Sequence, residues 1–597
     1  MSPRVIGCIS ALLALSLSTA GAANRCSLAM TSQVPVKMED LRPVIATQLN
    51  GVEARFIIDT GSFWDFLSPT AATIFKLPLT DAAPGYYVNG IGGSFVPKIA
   101  TAKTFTVAGL SGHDAQFLVG NNEFGGDIVG ILGQNLFRIA DVDFDFANGA
   151  LRFVKPQHCG DQILAYWATG RAVAMVRIDW TSAAQPHLIA KAAVNGHKIY
   201  VLFDTGSWRS MLSLDAAKRA GITPESPGVT PAGATIGLGG KPVKVWVAPV
   251  DKFEIGGETI EHTHLLIGDI GLQNADMLLG SDFFLAHRIY VAYSQDRLYF
   301  TYNGGAVFDV NALPPAAAQN PIGGLAAAGA TPGSNSPTDA AGFMRRGMAD
   351  ASRGELVQAI SDLTQACKLT PADADCHYQR GIAYWRNEQP QPAMADFDAA
   401  IQRRPDDFHA YLARAQLEMS KQPDAAQSDL DVVDRLAPPQ ADMRLQLARL
   451  YGVAGEHAGA VHQYDLWIEY HPDDVNLSYA LSGRCGSEAA ANVDLDRALD
   501  DCNTALRLMR RFDMAQASAV TMSNRGLVYL REGQLDSAVA DFQAALKLDG
   551  ALPLARYALG VAELKKGLTA QGQADVAAAL SHNRDIAKRL AGLGFKP

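Results

Sequence analysis

Two patterns of apolar residues divide the chain. In the amino-terminal half, short runs of Val, Ile, Phe and Tyr, such as residues 55–58 and 200–203, are separated by Gly, Asn and Pro. Short apolar runs bounded by turn residues predict β-strands. In the carboxy-terminal half, small and aromatic residues recur at long, regular intervals in a pattern typical of paired helices. We therefore predict an all-β half followed by an all-α half.

A segment without charge separates these halves. Residues 310–338 hold no charged side chain and consist mainly of Ala, Pro, Gly, Asn and Ser. Such a composition buries too little apolar surface to offset the entropy lost on ordering, so we predict a flexible linker. The predicted units are residues 1–22 (export signal), 23–156 and 157–309 (two β domains), 310–340 (linker) and 341–597 (helical repeats).

The β half contains an internal duplication. The motif Asp59-Thr60-Gly61-Ser62 returns in register as Asp204-Thr205-Gly206-Ser207. A Gly-rich turn at Gly90, Ile91, Gly92 and Gly93 returns as Gly237, Leu238, Gly239 and Gly240, and an apolar-apolar-Gly segment ends at Gly133 and again at Gly280. The simplest interpretation of the Gly-rich turns is an ordinary hairpin. The whole pattern predicts two copies of one β domain, fused in one chain.

The helical half repeats every 34 residues. Gly347, Ala359, Leu363, Ala366 and Pro371 return as Gly381, Ala393, Phe397, Ala400 and Pro405. This pattern resembles tetratricopeptide repeats, with six or seven units over about residues 341–580, the third one residue short and the fifth carrying an insertion. The resemblance implies a groove that binds a protein partner, and a spacer or oligomerisation module is the alternative.

Composition and charge exclude several classes of protein. The 597 residues are 48% hydrophobic and 19% charged, with a net charge of −10 and no long basic run. This composition excludes collagen-like and wholly disordered chains and does not favour a nucleic-acid surface. We find no motif for a metal, nucleotide or flavin, so no cofactor is expected.

The first residues resemble an export signal. Arg4 precedes an apolar run from residue 9 to residue 17, and small residues follow at 20–22. The run is shorter than the roughly 20 residues that span a bilayer, which favours a cleaved signal over an anchor. We expect a periplasmic or secreted protein of a Gram-negative bacterium, without a membrane span.

Export makes disulfides the natural interpretation of the cysteines. Six cysteines follow the signal, and the economical pairs are Cys26 with Cys159, Cys367 with Cys376 and Cys485 with Cys502. Sequence alone does not define the connectivity, and free buried thiols are the alternative.

The duplicated motif carries the candidate chemistry. An Asp that follows an apolar strand, with Thr and Gly behind it, places a carboxylate at a tight turn whose backbone N–H groups can orient it. The Thr hydroxyl can tie the turn to its twin, and Ser62 or Ser207 can donate to a carboxylate oxygen. Two such turns facing each other would share one proton, because like charges at that distance cannot both ionise. A water between them would then attack an amide carbonyl.

These residues resemble the retropepsin-like branch of the aspartic peptidases, over roughly residues 40–302. The resemblance implies catalytic Asp59 and Asp204, supporting Thr, Gly and Ser residues, and a flap at each Gly-rich turn. It further implies a retroviral-type dimer written as one chain, which acts on protein or peptide substrates. Two alternatives stay open: a non-catalytic peptide-binding scaffold of the cell envelope, and a dyad formed between two chains.

Overall fold

The structure is a computed structural model that describes residues 26–120, 123–125, 127–179, 187–272, 274–308, 337–419, 423–472, 474, 476–511 and 514–596. The predicted signal at residues 1–22 and residues 310–336 of the predicted linker lie outside the described residues. Among the described residues, no helix is long and apolar enough to cross a membrane.

The β half contains two similar domains. In the first, eight strands form a sheet in the order β2-β3-β4-β11-β5-β10-β9-β6, and in the second, seven strands run β15-β16-β21-β17-β20-β19-β18. The first sheet comprises β2 (Lys37–Glu39), β3 (Arg42–Leu49), β4 (Val52–Ile58), β5 (Phe66–Leu67), β6 (Leu79–Asp81), β9 (Lys98–Val107), β10 (Leu110–Val119) and β11 (Ile128–Leu132). The second comprises β15 (Ile189–Val194), β16 (His197–Phe203), β17 (Met211–Ser213), β18 (Thr230–Thr235), β19 (Val243–Ile255), β20 (Glu258–Gly268) and β21 (Met277–Leu279).

A third sheet joins the two domains. Its six strands run β1-β13-β12-β22-β23-β14, with antiparallel pairing between β12 and β22 at the boundary. The strands are β1 (Ser27–Pro35), β12 (Asp141–Asp145), β13 (Ala150–Gln157), β14 (Ala174–Arg177), β22 (His287–Ala292) and β23 (Arg297–Tyr302). Because strands from both copies pair within one sheet, the two copies are held face to face in a single chain.

Short elements complete the β half. A two-stranded hairpin is formed by β7 (Val88–Gly90) and β8 (Gly93–Phe95). The helices are α1 (Pro69–Ile74), α2 (Gln134–Phe137), α3 (Leu214–Arg219) and α4 (Ser281–Ala286), with a 3-10 turn at Phe146–Asn148. Ser68 and Ser213 cap α1 and α3 at equivalent positions, each accepting a hydrogen bond from a backbone N–H of the first turn.

The carboxy-terminal half is an array of helix pairs. The described helices form seven successive pairs, and a short last helix packs against the end. They are α5 (Ala340–Ser352), α6 (Leu356–Leu369), α7 (Ala374–Arg386), α8 (Pro390–Arg403), α9 (Phe408–Glu418), α10 (Pro423–Leu436), α11 (Arg444–Ala454), α12 (His457–Tyr470), α13 (Leu477–Ala491), α14 (Leu495–Arg511), α15 (Ala515–Arg531), α16 (Leu535–Leu548), α17 (Pro553–Lys565), α18 (Thr569–His582) and α19 (Ile586–Gly592). This arrangement confirms the predicted fold class of a duplicated β half followed by a helical array.

The 34-residue period reflects packing within each pair. A Cβ added to Gly381 would lie 2.7 Å from the ring of Phe397, so the small residue lets the two helices approach closely. The pairs also carry a recurring ion pair from the first helix to the second: Arg346–Asp362, Arg380–Asp396, Arg414–Asp429, Arg484–Asp501 and Arg525–Asp541. We did not predict these buried pairs, although Arg346, Arg380 and Arg414 repeat with the period of 34.

Three disulfides are present in the structure, joining Cys26 to Cys159, Cys367 to Cys376 and Cys485 to Cys502. The first lies at the edge of the joining sheet, where β1 pairs with β13. The second joins α6 to α7, which belong to successive helix pairs, and the third joins α13 to α14 within one pair.

Candidate active site

Each Asp-Thr-Gly-Ser motif begins where a buried strand ends. Asp59 follows β4, and its N–H donates to the carbonyl of Leu132 in the parallel strand β11 (2.9 Å). Asp204 follows β16 in the same way, and its N–H donates to Leu279 in β21 (2.8 Å). The duplicated sequence therefore produces two equivalent strand ends, and the joining sheet sets them opposite each other.

The two threonines lock these turns together. Oγ1 of Thr60 donates to the carbonyl of Phe203 (2.8 Å) and accepts from the N–H of Thr205 (3.0 Å). Oγ1 of Thr205 makes the reciprocal contacts, with the carbonyl of Ile58 (2.7 Å) and the N–H of Thr60 (3.0 Å). These four buried hydrogen bonds cross between the domains, so each turn determines the position of the other.

The carboxylates of Asp59 and Asp204 meet between the turns. A Cβ added to Gly61 would lie 2.3 Å from Cγ of Asp204, and one added to Gly206 would lie 2.3 Å from Cγ of Asp59. Glycine is thus required for each carboxylate to pack against the opposite turn. Oδ1 of each aspartate accepts from backbone N–H groups of its own motif, for example from Gly61 at 2.9 Å and from Gly206 at 3.0 Å.

Burial and mutual repulsion govern the protonation of this pair. Burial raises the pKa of both carboxyls, and the neighbouring charge of Asp204 raises the pKa of Asp59 further. A hydrogen bond from Asp59 acts in the opposite direction on the pKa of Asp204. Both shifts favour a pair that retains one proton, which leaves one acid and one base in a single site.

The serine hydroxyls make other contacts than we expected. Oγ of Ser62 donates to the carbonyl of Trp64 (2.8 Å), and Oγ of Ser207 donates to the carbonyl of Arg209 (2.7 Å). Neither hydroxyl donates to an aspartate oxygen; the backbone N–H groups of the two serines do so instead. The expectation was wrong because the turn directs each hydroxyl forward along the chain, where it satisfies a backbone carbonyl.

Two further carboxylates stabilise the turns from behind, and we did not predict them. In the first domain, Oδ1 of Asp65 accepts from the N–H of Gly133 (2.8 Å) and Oδ2 accepts from Nδ2 of Asn135 (2.9 Å). Between these residues, Nε2 of Gln134 donates to the carbonyl of Thr60 (2.8 Å). The loop after β11 is therefore attached to both ends of the first motif.

The second domain has equivalent hydrogen bonds, but there the carboxylate belongs to Asp282, which lies after β21, and the segment that follows the motif supplies a hydroxyl. Position 65 corresponds to Ser210, whose Oγ accepts from the N–H of Gly280 (2.9 Å) and donates to Asp282 (2.7 Å). Ser281 donates to the carbonyl of Thr205 (2.9 Å), as Gln134 does to Thr60. The sequence carried a signal for these hydrogen bonds: when the two copies are aligned, Asp65 corresponds to Ser210 and Asn135 to Asp282, so each copy holds one carboxylate at this pair of positions.

The two Gly-rich turns interlock. The N–H of Gly239 donates to the carbonyl of Ile91 (3.0 Å), and a Cβ on Gly239 would lie 2.1 Å from the backbone of Gly93. Ile91 packs on an apolar cluster of the second domain, while Leu238 packs on a cluster of the first. Each tip thus crosses to the other domain, and contact between the tips accounts for the glycines better than an ordinary hairpin turn does.

The surroundings of the dyad differ between the domains. On the first side, Trp64 packs edge-on against Phe63 and lies near Tyr86, next to the first tip. On the second side, the guanidinium of Arg209 lies over Trp208, with 4.9 Å between Cζ and the ring centroid. The asymmetry is visible in the sequence, because Trp64 and Trp208 follow their motifs in different registers.

Known protein families match both halves of the chain. The family model for aspartyl proteases matches residues 45–136 and again residues 190–283, so it covers both Asp-Thr-Gly motifs and both loops behind them. The chain carries two aspartyl protease domains. Models for tetratricopeptide repeats match residues 347–388, 378–441 and 526–567, and these repeats follow the protease domains.

Individual relatives resemble parts of the chain. Human mitochondrial import receptor subunit TOM70 is 23% identical over 214 residues, which are 34% of this chain and 34% of the relative. Tetratricopeptide repeat protein 37 of Xenopus laevis is 26% identical over 234 residues, 37% of this chain and 14% of the relative. The chain thus spans about a third or less of the length of these relatives.

Solved structures are similar to each half separately. An aspartic proteinase from Irpex lacteus aligns with a TM-score of 0.31 and 16% identity, covering 46% of this chain and 97% of the proteinase. A tetratricopeptide repeat protein from Parabacteroides merdae aligns with a TM-score of 0.33 and 17% identity, covering 42% of this chain and 97% of that protein.

Proposed function

We propose that the protein is an exported aspartic endopeptidase. Asp59 and Asp204 activate a water that attacks the peptide carbonyl, and the repeats bind the protein substrate or a partner. The observation that supports this proposal is the buried carboxylate pair, with the pKa of both groups raised and both turns tied together by Thr60 and Thr205.

The chemistry follows from one shared proton. The ionised carboxylate accepts a proton from the water as its oxygen bonds to the carbonyl carbon, and the protonated carboxyl donates to the carbonyl oxygen. The tetrahedral intermediate collapses when the nitrogen of the scissile bond takes up a proton from one carboxyl of the dyad and leaves as an amine, while a hydroxyl of the intermediate returns a proton to the other carboxylate. Both aspartates are needed for this sequence, because each must occupy the opposite protonation state.

The test is digestion of a mixed peptide library from about pH 3 to about pH 8. The proteins compared are the mature full chain, Asp59→Asn, Asp204→Asn and a control, Asp251→Asn, which changes an exposed carboxylate in β19. We expect cleavage by wild type and the control, and a loss of at least about a thousandfold in kcat for either dyad variant.

Other results would contradict the proposal in distinct ways. Partial activity in each single variant would indicate sites assembled between chains. No cleavage by wild type at any pH, with library peptides still bound, would indicate a scaffold. Export is tested separately, by sequencing the amino terminus of the protein recovered from the periplasm or the medium after expression in a Gram-negative host.

A further inference from the structure

The first repeat helix packs directly on the β half. Ala349 of α5 is fully buried within the main apolar cluster of the protease domains. Oγ of Ser352 donates to the carbonyl of Met38 (3.4 Å), and Nη1 of Arg353 donates to that of Leu285 (3.3 Å). The array therefore begins as part of the protease core and contacts both domains.

The array meets the first protease domain again several helices later. Nε2 of His409, in α9, lies 4.0 Å from Oδ2 of Asp127. A Cβ on Gly125 would lie 3.6 Å from Oδ2 of Asp442, just before α11, and 3.7 Å from Arg42. Contacts at both places leave an open-sided space between the array and the domain.

This space is a cavity of about 2690 Å³. Sites for small molecules occupy about 300–1,000 Å³, so the cavity has the size of a polypeptide-binding channel. Tyr378, Trp385 and Phe408 contribute aromatic surface from the repeats. The lining also includes Pro231 and Val247, in the hairpin whose tip is the second Gly-rich turn, which brings the cavity to the base of one flap.

The lining is acidic. Its carboxylates outnumber its Lys and Arg side chains by eleven to seven, and Arg55 and Arg404 are paired with Glu39 and Asp375 of the same lining, which leaves the excess of four unchanged. Burial, followed by the charges of Asp407 and Asp40, raises the pKa of the Tyr378 phenol. Asp407 belongs to the repeats and Asp40 to the first domain, and both line the cavity. The field inside favours a positively charged occupant.

A buried imidazole in the lining offers a second point of recognition. His471 is 3% exposed, and its Nδ1 lies 2.8 Å from the carbonyl of Trp467. Nε2 of His471 has no hydrogen-bond partner among the described residues. When Nδ1 donates to the carbonyl, Nε2 of the neutral ring is an acceptor, which suits an N–H or ammonium donor.

We propose that this cavity binds an extended, lysine- or arginine-rich segment of the protein substrate and thereby presents the neighbouring sequence to the flaps. The role of the cavity in cleavage rests on the proposed endopeptidase function, whereas the binding of a basic segment does not depend on it. The charge excess, the aromatic wall and the unpartnered acceptor all match a basic polypeptide.

Fluorescence anisotropy with two labelled peptides of equal length tests the proposal, one with Lys and one with Glu at every second position. The protein is the full chain carrying Asp59→Asn, so that the probes stay intact. Glu53→Gln with Glu388→Gln removes two exposed carboxylates of the lining. Asp251→Asn with Glu261→Gln is the matched control on the exposed surface of the second domain.

We expect the Lys probe to bind and the Glu probe not to bind. The cavity variant should bind roughly three- to tenfold more weakly at low ionic strength, while the control is unchanged. In the active protein, a protein substrate carrying the Lys segment should show a lower KM at equal kcat than one carrying the Glu segment.

Two other outcomes would contradict different parts of the proposal. Equal binding of both probes, or equal weakening in the control variant, would refute the cavity as a site for basic segments. Binding of the Lys probe without cleavage by the active protein would support the cavity as a site for basic segments and would refute the endopeptidase function instead.

Discussion

Exchanging one hydrogen-bond pair between the two domains tests how the dyad turns are held. The first domain pairs Asp65 with Asn135, and the second pairs Ser210 with Asp282. The double variant Asp65→Ser/Asn135→Asp gives the first domain the arrangement of the second. We expect it to restore most of what either single change removes.

The magnitudes follow from the partners of Asp65. Removing its carboxylate deprives the buried N–H of Gly133 of its acceptor, at about 1–3 kcal/mol, whereas Asn135 is an exposed residue whose amide can bond to water instead. Asp65→Ser can still accept from Gly133, as Ser210 does from Gly280, so its cost is about 1 kcal/mol. Asn135→Asp places a second carboxyl within hydrogen-bond distance of the buried carboxyl of Asp65 and costs about 1 kcal/mol as well.

Urea unfolding of the full chain and kcat on a cleaved library peptide measure both effects. We expect a favourable coupling free energy of about 0.5–1 kcal/mol between the two changes, and recovery of kcat in the double variant. The reciprocal exchange, Ser210→Asp/Asp282→Asn, is the internal control. Strictly additive losses in both pairs would refute the idea that these carboxylates position the dyad turns.

Two other predictions concern pH and the joining sheet. Burial raises the pKa of Asp65 and of Asp282 to about 6, from an ordinary value of 3.8. The folded protein binds these protons more tightly than the unfolded chain, so each group adds roughly 3 kcal/mol of stability that is present below about pH 4 and is lost as the pH rises through about 6. Urea unfolding at intervals across this range should show the loss. A flat pH profile of the unfolding free energy, or a profile unchanged in Asp282→Asn, would contradict the prediction. Asp143 is buried between Arg152 and Arg288 at the junction of the two domains, so Asp143→Ala should cost about 1.5–3 kcal/mol and reduce cleavage with it, since both cations lose one carboxylate partner and keep only Asp145. Asp161→Ala, at an ion pair whose carboxylate is 91% exposed, should change the unfolding free energy by less than about 1 kcal/mol, and an equal effect of the two variants would exclude the buried cluster as the cause.

Local patterns in the chain were sufficient for the fold class and for the residues of the dyad. Strand runs, turn residues and the 34-residue period depend on interactions between residues close in sequence, so they can be recognised without coordinates. The two aspartates of the dyad could be located for a similar reason, because each turn orients its carboxylate, at Asp59 or Asp204, with its own backbone N–H groups. The predicted boundaries of the units and the export signal stay predictions.

The remaining features of the site depend on contacts between segments that are distant in the sequence. The threonine bonds join residues 145 positions apart, and the pairing of β12 with β22 likewise holds the two domains together. The hydroxyls of Ser62 and Ser207 donate to backbone carbonyls two residues farther along the chain and not to the dyad. The cavity beneath the repeats depends on how α5 packs on the protease core, and no periodicity in the chain specifies that docking. Periodicity reports which face of an element is apolar, whereas tertiary packing selects which other face covers it.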